Sequence, residues 1–168
     1  MKIVQKKICL LGDFAVGKTS LVRRFVEGRF DDKYLSTIGV KVSRRVIERA
    51  DHTLNMLIWD LVGGNELSQR ETGYLVGTAG ALIVCDLTRP ETVETLKRYA
   101  YHLRVVNPAA ALVFIGNKLD LTAERMVTDD TLTAVSASLQ AEFQLTSAKT
   151  GQKVAEAFLR LAEKMEAS

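Results

Sequence analysis

The chain has 168 residues, of which 47% are hydrophobic and 26% charged, with a formal net charge of +3. That length fits one domain, residues 1–168, with a real core, and the charge is too small to argue for nucleic acid as a partner. No apolar run approaches the roughly 20 residues that span a bilayer. There is no signal-peptide h-region, and the C-terminal Lys164-Met165-Glu166-Ala167-Ser168 lacks a cysteine for a prenyl group. A monomeric cytoplasmic protein without a direct membrane anchor is therefore expected.

Residues 3–11 are an apolar run that predicts the first strand, and residues 18–26 carry a helical pattern. Between them lies Gly12-Asp13-Phe14-Ala15-Val16-Gly17-Lys18-Thr19. Strand, Gly-x-x-x-x-Gly-Lys-Thr, helix is the context that a phosphate-binding loop requires. The glycines let the backbone turn tightly enough to aim several N–H groups at one point. Those amides and the positive end of the helix then hold phosphate oxygens. Lys18 reaches the outer phosphates, and the Thr19 hydroxyl can ligate Mg²⁺. A glycine-rich turn without a ligand is the bland alternative. Four fixed positions in this context are rare, however, when glycine averages about 7% of residues. A nucleoside phosphate is the expected ligand.

Further along, residues 27–36 are a polar loop, and 40–49 and 53–59 flank Ala50-Asp51-His52 as an antiparallel hairpin. Lys41, Arg44, Arg45 and Arg49 read as a solvated strand face. Residues 63–69 form a glycine-bearing loop, followed by a helical stretch to about Val76 and an apolar strand at 81–87. Thr88-Arg89-Pro90-Glu91 resembles a helix start, and that helix runs to about Val106 before Asn107-Pro108. Residues 111–115 are a buried strand, and 129–143 a helix with Thr128 as its N-cap. A short strand at 144–146 and an amphipathic helix at 151–167 complete the chain. Cys9 and Cys85 sit inside apolar strands as small core hydrophobes, neither disulfide-paired nor metal-ligating.

Strands alternating with helices predict an α/β domain whose mostly parallel sheet is covered on both faces. Ligands in such sheets lie outside the carboxyl ends of the strands. The segments there are 12–19, 60–64, 117–120 and 147–149, and each carries polar groups suited to a nucleotide. Asp60 follows an apolar strand and can hold Mg²⁺ through its water shell, or merely cap the next turn. Gly63 offers an unhindered N–H to a terminal phosphate. Within Asn117-Lys118-Leu119-Asp120, a carboxylate can accept two N–H bonds from the edge of guanine, whereas adenine offers no matching pair of donors.

With these segments in order, the chain resembles the Ras superfamily of small GTPases, and within it most closely the Rab branch. The motifs are the phosphate loop, Tyr34-Leu35-Ser36-Thr37-Ile38-Gly39-Val40, Trp59-Asp60-x-x-Gly63, Asn117-Lys118-Leu119-Asp120 and Thr146-Ser147-Ala148-Lys149, over residues 5–165. The resemblance implies the P-loop small G domain, a six-stranded mostly parallel sheet with helices on both faces, and GTP or GDP bound with Mg²⁺. It assigns nucleotide contacts to Asp13, Phe14, Ala15, Val16, Gly17, Lys18, Thr19 and Ser20. Phe30 would pack against the guanine, Tyr34 close over the phosphates, and Thr37 bind Mg²⁺ and the γ-phosphate. Thr19, Thr37 and Asp60 form the implied metal set. Asn117 and Asp120 match base readers, Lys118 lies along the base, and the Ala148 N–H faces the guanine carbonyl with Ser147 and Lys149 in support. Trp59 and Tyr74 match two members of a Rab effector-binding aromatic triad, whose third position here is Val42. Protein effectors and regulators acting through the two switch regions are implied.

The chain departs from the family in switch II, where Asp-Thr-Ala-Gly-Gln-Glu becomes Asp60-Leu61-Val62-Gly63-Gly64-Asn65. Lys18, Thr37, Gly63 and Gly64 occupy the catalytic positions, and Gly64 replaces the glutamine that orients the attacking water. Since positioning and electrostatics supply nearly all catalysis in phosphoryl transfer, hydrolysis is expected to be slow and binding intact. Phe14 in the phosphate loop crowds an incoming arginine finger. A GTP/GDP switch with slow intrinsic hydrolysis, a constitutively GTP-bound pseudo-GTPase, and a small-molecule kinase are the three readings. The last lacks any use for the guanine-reading segments.

Overall fold

The computed structural model describes residues 2–29, 40–61 and 72–167. Among them, strands β1 (Lys2–Gly12), β2 (Val40–Glu48), β3 (His52–Leu61), β4 (Thr78–Asp86), β5 (Ala111–Asn117) and β6 (Glu142–Leu145) form one sheet in the order β2-β3-β1-β4-β5-β6. Only β2 runs antiparallel to its neighbour, joined to β3 by the expected hairpin. The central strands are apolar on both sides, as strands buried between helices must be. In β1, Ile8 and Leu10 point to one layer while Cys9 and Leu11 point to the other.

The helices whose full extent lies among the described residues are α1 (Lys18–Glu27), α2 (Glu91–Val106), α3 (Asp129–Ser138) and α4 (Val154–Glu166). Helices α1 and α4 cover the Ile8 face, where the rings of Phe25 and Phe158 stack at 4.2 Å. Helices α2 and α3 cover the Cys9 face through Leu96, Tyr99, Leu103, Leu132 and Val135. Both cysteines are free and buried, as their apolar settings predict. No helix among the described residues is long and apolar enough to cross a membrane.

Several element boundaries differ from those the sequence suggests. The helix expected to reach residue 143 stops at Ser138, because Gln140 adopts a left-handed φ of 52°. Its N–H then bonds the Ala137 carbonyl at 3.2 Å, and the Ala141 N–H bonds that of Ser136 at 2.9 Å. This paired closure ends a helix when residue C′ is left-handed, and it frees β6 to begin at Glu142 rather than 144. Helix α4 starts at Val154 rather than 151, after left-handed residues Gly151 and Lys153. Strand β4 begins at Thr78, where it already pairs with Lys7, rather than at 81. Of the helical stretch predicted to end near Val76, Thr72 and Gly73 are helical and residues 74–77 form a turn, with the Leu75 N–H on the Thr72 carbonyl at 3.0 Å.

Candidate functional site

The carboxyl ends of β1, β3, β4 and β5 converge on residues 12–19. Leu10 pairs with Asp60, Gly12 with Val84, and Asp86 with Asn117. This crowding dictates both loop glycines. A Cβ on Gly12, at φ +151°, would lie 2.4 Å from the Val84 carbonyl oxygen. A Cβ on Gly17, at φ +103°, would lie 2.3 Å from Asn117 Nδ2.

Every carbonyl of the loop is held. Lys18 Nζ donates to the Gly12 and Asp13 carbonyls, each at 3.1 Å. Arg89 donates to the Phe14 carbonyl at 2.9 Å, Lys118 to that of Ala15 at 3.0 Å, and Asn117 Nδ2 to that of Val16 at 3.0 Å. The Gly17 carbonyl accepts the Leu21 N–H at 2.9 Å and opens α1. Successive amides of a loop with its carbonyls so engaged make an anion-binding nest, continued here by a helix N-terminus.

The charged groups suit such a ligand. Lys18 is buried, and desolvation pulls its ammonium down to about 8 despite the opposing attraction of Asp60 and Asp13. A cation lowered by burial gains from an anion placed beside it. Thr19 Oγ1 donates to the buried Asp60 carboxylate at 2.6 Å. A hydroxyl and a carboxylate side by side are hard oxygen donors, the set that fits Mg²⁺.

The second half of the site is a buried network behind the loop. Asn117 Oδ1 accepts from the Thr146 hydroxyl at 3.0 Å and from the Ala148 N–H at 3.3 Å. The amide that the resemblance directs at guanine thus rests on Asn117 in this structure. Ser147 Oγ donates to Asp120 Oδ1 at 2.7 Å and accepts the Thr150 N–H at 3.1 Å. Lys118 Nζ lies 2.8 Å from the fully buried Asp86 carboxylate. Arg24 reaches from α1 to the Ala148 carbonyl at 2.9 Å and the Lys149 carbonyl at 2.5 Å.

The structure therefore gathers Asp13, Phe14, Ala15, Val16, Gly17, Lys18, Thr19, Asp60, Asn117, Lys118, Asp120, Ser147, Ala148 and Lys149 at one end of the sheet, with Ser20 in the first turn of α1. Phe30, Tyr34, Thr37, Gly63, Gly64 and Asn65 lie outside the described residues. Asp86, Arg89 and Arg24 join the site without belonging to any motif of the sequence. Asp86 had a positional signal, since it closes β4 next to β1, where ligands of such sheets gather.

Residues 7–167 match the model of the Ras family. The chain belongs to the Ras family. Ras-related protein Rab-22A of Mus musculus is 37% identical over 166 residues, which cover 98% of this chain and 86% of that protein. Ras-related protein Rab-1C of Dictyostelium discoideum is 34% identical, covering 96% of this chain and 81% of its own. The GTP-binding protein YPTM2 of Zea mays is also 34% identical, with 93% and 77% covered. Within the Ras family this small GTPase sides with the Rab proteins. Trp59 and Tyr74 have ring centroids 6.0 Å apart, and Val42 pairs with Trp59 across β2 and β3.

Proposed function

We propose that this Ras-family chain is a GTP/GDP switch that binds guanine nucleotide with Mg²⁺ and hydrolyses GTP slowly. The observation that carries the reading is the union of the phosphate loop with the segments after β5 and β6. Lys118 and Asn117 hold the Ala15 and Val16 carbonyls, so one set of residues serves both the loop and the base end.

Lys18, the loop amides and the N-terminus of α1 bind the phosphates. Asn117 and Asp120 read the base, with Ser147 orienting the Asp120 carboxylate at 2.7 Å. Thr19 and Asp60 would hold Mg²⁺, which would neutralise charge developing on the phosphates. Thr37 and Gly63 sense the γ-phosphate, and Gly64 leaves the attacking water without the usual glutamine. Effectors and regulators engage the two switch regions.

A second reading, a constitutively GTP-bound interaction module, draws on Phe14. Phe14 is 51% exposed, so that its ring would crowd a group delivered by a partner, and Gly64 removes the chain's own water-orienting glutamine. Equilibrium titration of the purified chain with GDP and with ADP, each with Mg²⁺, tests the nucleotide assignment shared by both readings. Tight GDP binding with ADP weaker by orders of magnitude is expected; equal affinities would refute it.

A further inference from the structure

The buried carboxylate of Asp86 organises a two-cation clamp on the phosphate loop, in which Arg89 joins Lys118 of the base-reading motif. Asp86 Oδ1 accepts both the N–H and the hydroxyl of Thr88, at 2.8 and 2.7 Å, which fixes the carboxylate. Its Oδ2 faces Lys118 Nζ at 2.8 Å and Arg89 Nη1 at 3.8 Å. Those two cations donate to neighbouring carbonyls of the loop, Lys118 to Ala15 and Arg89 to Phe14. One buried anion thus holds two cations, and the cations hold two consecutive peptide units.

The loop needs this fastening at that point. Ala15 sits at a left-handed φ of 61°, a strained place for a residue with a Cβ. Interactions from outside must hold this pair of peptides in the anion-binding form. Arg89 itself is kept in reach by Glu91, 3.3 Å from its Nε.

Resting on the guanine-nucleotide reading above, we propose that Arg89 is a positioning residue of the nucleotide site, setting how long the nucleotide stays bound by clamping the Phe14 peptide to Asp86. The clamp acts through the loop, with no contact to the nucleotide assigned to Arg89.

The test is the release rate of N-methylanthraniloyl-GDP from the full chain, chased with excess unlabelled GDP, for the parent chain, Arg89→Ala and Arg89→Lys. Release from Arg89→Ala is expected to be about tenfold faster, the scale of losing one hydrogen bond to a charged donor. Arg89→Lys, which keeps a charge and a donor, should fall between the two. The urea midpoint of the nucleotide-free forms is expected to be alike in all three. An unchanged release rate in Arg89→Ala would overturn the proposal. So would faster release in both variants alongside an equal fall in their nucleotide-free stability, which marks a general structural role. Failure of the parent chain to load the fluorescent GDP would instead sink the guanine-nucleotide reading itself.

Discussion

Thr19 Oγ1 donates to Asp60 Oδ2 across 2.6 Å, tying the first turn of α1 to the end of β3. This pair joins the loop proposed to take the phosphates to the segment after β3. If it holds Mg²⁺, replacing Asp60 by Ala should weaken GDP binding about 10–100-fold with Mg²⁺ present, the cost of losing an outer-shell partner. In excess chelator the same variant should bind GDP like the parent. Calorimetric titration under both conditions reads the difference.

Lys18 gives the site a pH dependence. Its ammonium is held at about 8, below the ordinary 10.5, chiefly by burial. Nucleotide association should therefore fall as pH rises past about 8, by up to tenfold per unit once the lysine is neutral. The nucleotide-free fold behaves oppositely. The unfolded chain keeps this proton up to 10.5, so stability should climb between about 8 and 10.5 as the buried charge is lost. Stopped-flow association and urea titration across that range measure the two trends, and Lys18→Met should flatten both.

The Gly17 position tolerates no side chain. A methyl group there meets Asn117 Nδ2 at 2.3 Å on a backbone already at φ +103°. Gly17→Ala should cost about 1–3 kcal/mol from backbone strain alone. It should also displace Asn117 from the Val16 carbonyl, so that GDP affinity drops by more than the stability loss explains. Urea unfolding and GDP titration of one variant separate the two effects.

Away from the site, His52 links the β2–β3 hairpin to the end of α4. Its Nε2 lies 3.0 Å from Glu166 Oε1 and its Nδ1 2.8 Å from Asp51 Oδ1, while Arg49 meets Glu166 Oε2 at 3.1 Å. Glu166 first, then Asp51, raises the His52 pKa above 6.5. The stabilisation is then complete below 6.5 and lost as pH rises through the folded value. Melting temperatures between pH 5 and 9 should show this decline, and His52→Ala should remove it.

Much of the sheet was legible in the sequence because strands buried on both faces read as continuous apolar runs. Residues 81–87 and 111–115 are of this kind. The phosphate loop was legible for a related reason, since no other residue replaces Gly12 or Gly17 in the space left by Val84 and Asn117. The end of α3 was not legible, because Gln140 takes the left-handed cap that glycine or asparagine usually signals. Nor was the clamp of Asp86 and Arg89, whose partners are brought together by strand pairing between residues distant in the chain. Phe30, Tyr34, Thr37, Gly63 and Gly64 lie outside the described residues, so their expected roles rest on the sequence alone.

Slowing of the switch by Gly64 is tested by single turnover. The protein is loaded with GTP and Mg²⁺, excess nucleotide is removed, and conversion of the bound GTP to GDP is followed beside that of Gly64→Gln. Conversion over hours is expected in the parent chain, with a rate raised on the order of tenfold or more once a side chain can orient the water. Fast parent turnover that Gly64→Gln leaves unchanged would contradict it, because the missing glutamine would then play no part in the rate.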